Sequence, residues 1–156
     1  MIRNTLLTLA LGMSLGVQAQ ENVEAAFRSP FDFPLLLSAN FGELRPNHFH
    51  NGLDIKTQGV TGKPIHSVAD GYVSRIMVLH GGYGQAIFVT HPNGYTSVYG
   101  HVVSFAPKIQ EYVRAYQYEH ETFVCDLHPE PGQLPVKAGD VIALSGNEGC
   151  LLYTSD

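Results

Sequence analysis

Tyr72-Val73-Ser74-Arg75-Ile76-Met77-Val78-Leu79, then the cluster Gly81-Gly82-Tyr83-Gly84, then Gln85-Ala86-Ile87-Phe88-Val89-Thr90, is the stretch that decides the fold. Two runs rich in β-branched and aromatic residues, separated by a glycine-rich turn, read as adjacent antiparallel strands. His91-Pro92-Asn93-Gly94 supplies a second hairpin signal, and Tyr95-Thr96-Ser97-Val98-Tyr99-Gly100-His101-Val102 a third strand. Upstream, Pro64-Ile65-His66-Ser67-Val68 is a strand that turns at Ala69-Asp70-Gly71, and Asp54-Ile55-Lys56-Thr57 another. Spacers of helix length are missing between these strands, which excludes parallel βαβ units and leaves an antiparallel meander.

Further outward the rhythm changes. Pro107 opens a segment, 107–121, in which Ile109, Tyr112, Val113 and Tyr116 recur at helical spacing among polar residues, so one amphipathic helix is inserted in the β domain. Such a helix covers a sheet edge or groove, or simply packs on the domain, the more common case. Pro129-Glu130-Pro131-Gly132 is a loop, and Leu134 to Gly146 contains a turn at Ala138-Gly139-Asp140 followed by a last strand. Towards the N-terminus, Leu35-Leu36-Leu37 begins the core, and Ser38 to Pro46 carries turn residues at both ends. Residues 20–34 form an extended lead-in that packs its aromatic side chains on the domain.

The first nineteen residues have the form of a secretory signal: Arg3, an apolar run from Leu6 to Val17, and Val17-Gln18-Ala19 before the cut. The run is too short to span a membrane, so no transmembrane helix is expected after its removal. Gln20 in place of a cysteine at that point disfavours a lipid anchor. The 156 residues carry 44% hydrophobic and 15% charged residues, enough for one domain with a real core. Without Arg3 the net charge is about −6, which argues against nucleic acid as a partner. Cys125 and Cys150 are the two cysteines, and no disulfide is expected between them.

Chemistry concentrates in Asn47-His48-Phe49-His50-Asn51-Gly52-Leu53-Asp54, which gathers two imidazoles and a carboxylate. On a straight strand His50 and Asp54 would lie roughly 13 Å apart. To share an ion the chain must fold back, and Asn51-Gly52 is the dipeptide suited to that. On these residues alone, a solvated surface hairpin and a metal site are equally good readings. His101 stands out among the other histidines because Tyr99-Gly100-His101 ends a long strand beside a glycine that permits close approach. His66 reads as a satisfied core or rim residue. His80 and His91 adjoin turns, and His120 and His128 lie in or after the helical insertion, where solvated side chains are expected.

Taken together, Ser38 to Gly42, His50-Asn51-Gly52-Leu53-Asp54-Ile55, Pro64-Ile65 with Ala69 to Val73, Gly84 with Val89-Thr90-His91, Tyr99-Gly100-His101, and Val136 to Asp140 with Ser145-Gly146-Asn147 resemble the M23 (lysostaphin/LytM-type) metallopeptidases, in unbroken order over residues 35–149. The resemblance implies a mainly β fold, an antiparallel β-sandwich of the duplicated hybrid (barrel-sandwich) type. It implies one catalytic Zn2+ and cleavage of peptide cross-links in bacterial peptidoglycan by a secreted or periplasmic enzyme. Carried over by position, His50 and Asp54 are the first two zinc ligands, His101 the catalytic histidine that stabilises the anionic transition state or orients water, and Asn40 a metal-proximal residue. The family's third ligand belongs to a His-x-His motif after the Ser-Gly-Asn turn, which this sequence lacks. Residues 150–156 instead resemble a foreign tail on a truncated frame.

Three expectations follow from that departure: little hydrolysis, weak zinc binding, and an open sheet edge where a terminal strand is missing. Two other readings are a non-catalytic M23-like domain that binds the wall or activates an amidase, and a biotinyl/lipoyl-like carrier domain suggested by Val136 to Ile142. The retained His50, Asp54 and His101 count against both.

Overall fold

The computed structural model describes residues 27–46 and 48–146, together with the backbone of 150–155. Residues 1–19, where the sequence suggests a secretory signal, and the start of the lead-in lie outside the described residues. Among the described residues, eleven strands and one helix make two antiparallel sheets. The strands are β1 (Leu37–Ala39), β2 (Leu53–Ile55), β3 (Pro64–His66), β4 (Gly71–Val78), β5 (Gln85–Thr90), β6 (Thr96–Tyr99), β7 (Val102–Phe105), β8 (Cys125–Leu127), β9 (Pro135–Val136), β10 (Val141–Ser145) and β11 (Cys150–Ser155), with α1 (Pro107–Glu119) between β7 and β8. The larger sheet runs β1-β2-β11-β6-β5-β4-β8, with β9 also on β4, and the smaller runs β3-β10-β7. The expected mainly β, antiparallel fold with one inserted helix is the one observed.

The meander is the frame. β4 pairs with β5 from Tyr72 opposite Thr90 to Val78 opposite Gln85, and β5 pairs with β6 from Ile87 opposite Tyr99 to Thr90 opposite Thr96. Alternation, interrupted by a register shift between Val73 and Arg75, places Val73, Ile76, Ile87, Val89 and Tyr99 in one buried cluster with Ile65 and Ile142 of the smaller sheet. α1 buries Ile109 and Val113 on this cluster and lays Tyr112 and Tyr116 against it. Pro107 sits in its first turn, where the missing N–H removes no helical bond.

The core also holds polar atoms in a continuous chain. The Val68 N–H donates to Tyr99 Oη (3.0 Å), the Tyr99 and Ser97 hydroxyls are bonded (3.0 Å), and Ser97 Oγ meets His91 Nε2 (2.8 Å). His91 Nδ1 donates to the Asp70 carbonyl (2.8 Å). His91 is therefore a buried member of the core rather than a solvated turn residue.

The described part of the lead-in, from Phe27 on, packs against the domain. Phe31 is buried and stacks on Phe33 with centroids 4.8 Å apart, while the Arg28 N–H donates to the Val68 carbonyl and the His66 N–H to the Pro30 carbonyl. Arg28 pairs with Asp32 (2.9 Å), and His66 bridges Asp32 (2.9 Å) and the Gly139 carbonyl (2.8 Å). His66 is the satisfied rim residue the sequence suggests.

Three expectations are corrected. Leu35, Leu36 and Leu37 do not begin the core: all three are exposed, Leu36 at 64%, because β1 is a three-residue outer strand that buries Ala39 instead. The strand expected over 95–102 breaks at Gly100-His101, so that β6 lies in the larger sheet and β7 in the smaller. The open edge is filled. The backbone of β11 pairs with β2, Leu151 opposite Asp54, and with β6, Leu152 opposite Tyr99. Unpaired strand groups on β2 and β6 favour any extended segment that reaches them.

Arg75 on β4 and Asp126 on β8 form a two-pronged pair, Nε to Oδ1 at 2.8 Å and Nη2 to Oδ2 at 2.6 Å. The hydrogen bonds from Arg75 hold the Asp126 carboxyl below the ordinary aspartate range, against an opposing effect of burial. A lowered folded pKa contributes stability above the unfolded value, near 3.9, that is lost as pH falls through the folded value. Both side chains are more than a third exposed, so Asp126→Asn is expected to cost less than about 1 kcal/mol. Urea midpoints should differ between the two proteins at neutral pH and converge near pH 2. A difference persisting at that pH would contradict this account.

Candidate functional site: a His/Asp pair beside a strained histidine corner

The loop that delivers His50 is a narrow hairpin. Gly42, at φ 77°, turns the chain out of β1. Its N–H donates to the His50 carbonyl (2.7 Å), the His50 N–H to the Glu43 carbonyl (2.8 Å), and the Arg45 N–H to the His48 carbonyl (2.9 Å). Leu44 and Phe49 form a bridge across it. The chain therefore reverses between Arg45 and His48, and not at Asn51-Gly52, where it only bends before entering β2. Proline's fixed φ and the cross-bonds outside the tip select that position.

This path brings the expected pair together. His50 Nε2 and Asp54 Oδ1 lie 3.2 Å apart, with His50 buried and Asp54 partly so. His50 Nδ1 is 3.0 Å from the Asn40 carbonyl, and since a carbonyl only accepts, Nδ1 carries the proton. A neutral imidazole then presents a bare Nε2 lone pair to a carboxylate oxygen. Two acceptors at that distance repel unless a proton or a cation lies between them. The partner on Nδ1 is the arrangement that orients a metal-binding histidine. Asn40 thus meets His50 through its backbone carbonyl. The other Asp54 oxygen, Oδ2, accepts from Arg45 Nη2 at 2.8 Å.

His101 reaches the same place from the far side. A cavity of about 500 Å³ is lined by Arg45, Pro46, His48, His50, Asn51, Asp54, Gly82, Tyr83 and His101. His101 sits at the corner between β6 and β7 with φ 54°, a left-handed conformation that a non-glycine residue adopts at a cost. Its backbone is held on both sides. The His101 N–H donates to the Tyr83 carbonyl (3.0 Å), and its carbonyl accepts from the Gly146 N–H (3.0 Å). A Cβ on Gly146 would lie 2.2 Å from that carbonyl oxygen, so glycine is required for the approach. A second cavity, about 340 Å³, continues past His101 and Tyr83 to Val103 and Phe123, the latter beyond the end of α1.

The donors fit a metal in part. His50 Nε2 and Asp54 Oδ1 are suitably paired and oriented, yet among the described residues no group of three or more His, Cys, Asp or Glu side chains converges. β11, which runs beside Asp54, has the sequence Cys150-Leu151-Leu152-Tyr153-Thr154-Ser155, without His, Asp or Glu.

His48, the second imidazole of the stretch that gathers the chemistry, lines the cavity, and so do Arg45 and Tyr83, which the sequence reading does not single out as site residues. Arg45 has a readable signal, a charged residue before a proline at a hairpin tip. Tyr83 has one too, lying between Gly82 and Gly84, both at positive φ.

Antiparallel sheets thus mount a His/Asp pair and a separate histidine on one cavity. Residues 48–118 match the model of peptidase family M23.

Solved structures agree on the fold. The catalytic domain of a point mutant of the prophage-encoded M23 protein EnpA from Enterococcus faecalis is 20% identical, with a TM-score of 0.54 over 83% of this chain and 85% of that one. Csd3 from Helicobacter pylori gives 24% and 0.55 over 83% of this chain, and a zinc-containing peptidase from Vibrio cholerae 23% and 0.56 over 83%. This chain spans about a third of those two, 31% and 36%. No curated protein sequence matches it significantly.

Proposed function

We propose that this is the domain of an exported zinc endopeptidase that cleaves peptide cross-links of bacterial peptidoglycan in the cell envelope, and that the present sequence hydrolyses little. The observation that carries the reading is the pairing of His50 Nε2 with Asp54 Oδ1 while Nδ1 is engaged by a carbonyl, on the cavity that also receives His101. When bound, zinc polarises a scissile carbonyl and acidifies a water. His50 and Asp54 are the residues that would hold it. His101 would stabilise the developing anion or orient the attacking water. The relatives' names support the peptidase class, and the zinc of the Vibrio cholerae protein supports the metal.

Three protein ligands are the usual minimum for a catalytic zinc. With two among the described residues, the chain is expected to retain well under one equivalent of zinc after buffer exchange and to release little material from purified cell walls. Zinc at one equivalent with wall digestion would overturn that expectation. That no third donor converges among the described residues also favours a second reading, a non-catalytic domain that binds the wall. Sedimentation with walls, without release of fragments, would select it.

A further inference from the structure

The proposed zinc reading leaves Arg45 unexplained. Its Nη2 bonds Asp54 Oδ2 at 2.8 Å, while its Nε is buried without a hydrogen-bond partner among the described residues. A buried orphan donor on a partly exposed side chain is a cost, and on a hairpin tip nothing in the core demands it. Arg45 therefore reaches inward against its own hydrogen-bonding interest, and what it gains there is one carboxylate oxygen.

We infer that Arg45 is a positioning residue that fixes Asp54 as a one-oxygen donor to a divalent cation. Three observations carry this. The two oxygens of Asp54 are divided: Oδ2 goes to Arg45, and Oδ1 faces His50 Nε2. An arginine that merely took the cation's place would lie between the two donors, whereas this one sits on the oxygen turned away from the imidazole. His50 is treated in the same way, its Nδ1 engaged by the Asn40 carbonyl so that Nε2 is left facing Asp54. Each donor group is thus held by its far atom. Finally, Arg45 and His50 belong to one cross-bonded hairpin, tied by the Arg45 to His48 and the His50 to Glu43 backbone bonds. The same backbone that aims the imidazole aims the guanidinium. A carboxylate free to rotate would present either or both oxygens, and the hydrogen-bonded partner removes that freedom before a cation arrives.

This inference rests on the metal reading, and one experiment separates the two. Zinc alone is titrated into the full chain, wild type, Arg45→Ala and Arg45→Lys, and His50 ring nitrogens are followed by 15N NMR, with thermal unfolding to establish that each variant is folded. Wild type is expected to show weak, saturable binding that perturbs His50 Nε2. Arg45→Ala should weaken it about 10- to 100-fold, the usual effect of losing a partner that orients a ligand, and Arg45→Lys should recover part of the loss. Equal affinity in wild type and Arg45→Ala overturns the inference alone. Tighter binding by Arg45→Ala also overturns it, and makes Arg45 a competitor for Asp54. No response of His50 in wild type at any zinc concentration overturns the metal reading and this inference with it.

Discussion

Gly146→Ala is expected to lower stability by about 3 kcal/mol or more and to displace His101. The added methyl would stand 2.2 Å from the His101 carbonyl oxygen, a backbone atom that no rotamer change can move aside. Overpacking of this kind typically costs about 1–3 kcal/mol. Here the Gly146 N–H to His101 O bond would be stretched as well, which adds about 1 kcal/mol. The load falls on a residue already held at φ 54°. Relaxation therefore moves the corner between β6 and β7, and the imidazole with it. Urea unfolding measures the first effect, and the NMR signals of the His101 ring the second. A variant with wild-type stability and unshifted His101 resonances would show that the two segments part without consequence.

Tyr99→Ala is expected to abolish folding. Tyr99 is fully buried at the junction of the two sheets, and removing its ring costs about 3–5 kcal/mol. Its hydroxyl accepts the Val68 N–H and bonds Ser97 Oγ, so a buried donor is left unsatisfied for about 1–3 kcal/mol more. The sum, about 4–8 kcal/mol, overlaps the lower part of the total stability of an ordinary domain, about 5–15 kcal/mol. Tyr99→Phe separates the two contributions: it keeps the ring, removes the hydroxyl, and should fold with only the smaller loss. Circular dichroism and urea midpoints distinguish these outcomes. If Tyr99→Phe were as damaging as Tyr99→Ala, the polar chain through Ser97 and His91 would be the dominant element of the core.

What can be read from the residues alone follows a physical division. Runs such as Tyr72 to Leu79 and Gln85 to Thr90 declare their strands because alternation, β-branching and turn residues agree. The helix declares itself in the spacing of Ile109, Val113 and Tyr116. The break at Gly100-His101 is hidden because its cause is distant: Gly146 and Tyr83 bond the corner from other parts of the chain. The reversal at 45–48 is easily misplaced because Asn51-Gly52 has the stronger local signature, while the cross-bonds from Gly42 and Glu43 decide the matter. Leu35 to Leu37 fail as core because Leu35 and Leu36 precede the short outermost strand β1 and Leu37, its first residue, is left uncovered. His50, Asp54 and His101 are nameable from their motifs, and their common cavity bears on that choice. Arg45 is not, because its contact with Asp54 exists only once the hairpin has closed.

The lead-in sets a limit on how far this polypeptide can be shortened. Phe31 belongs to the central cluster, and Arg28, Pro30 and Asp32 tether the segment to Val68 and His66. Any trimming that passes Arg28 uncaps the hydrophobic interior from one end. For an exoprotease or for the designer of an expression boundary, the domain begins ahead of its first strand, at the residues that close its lid.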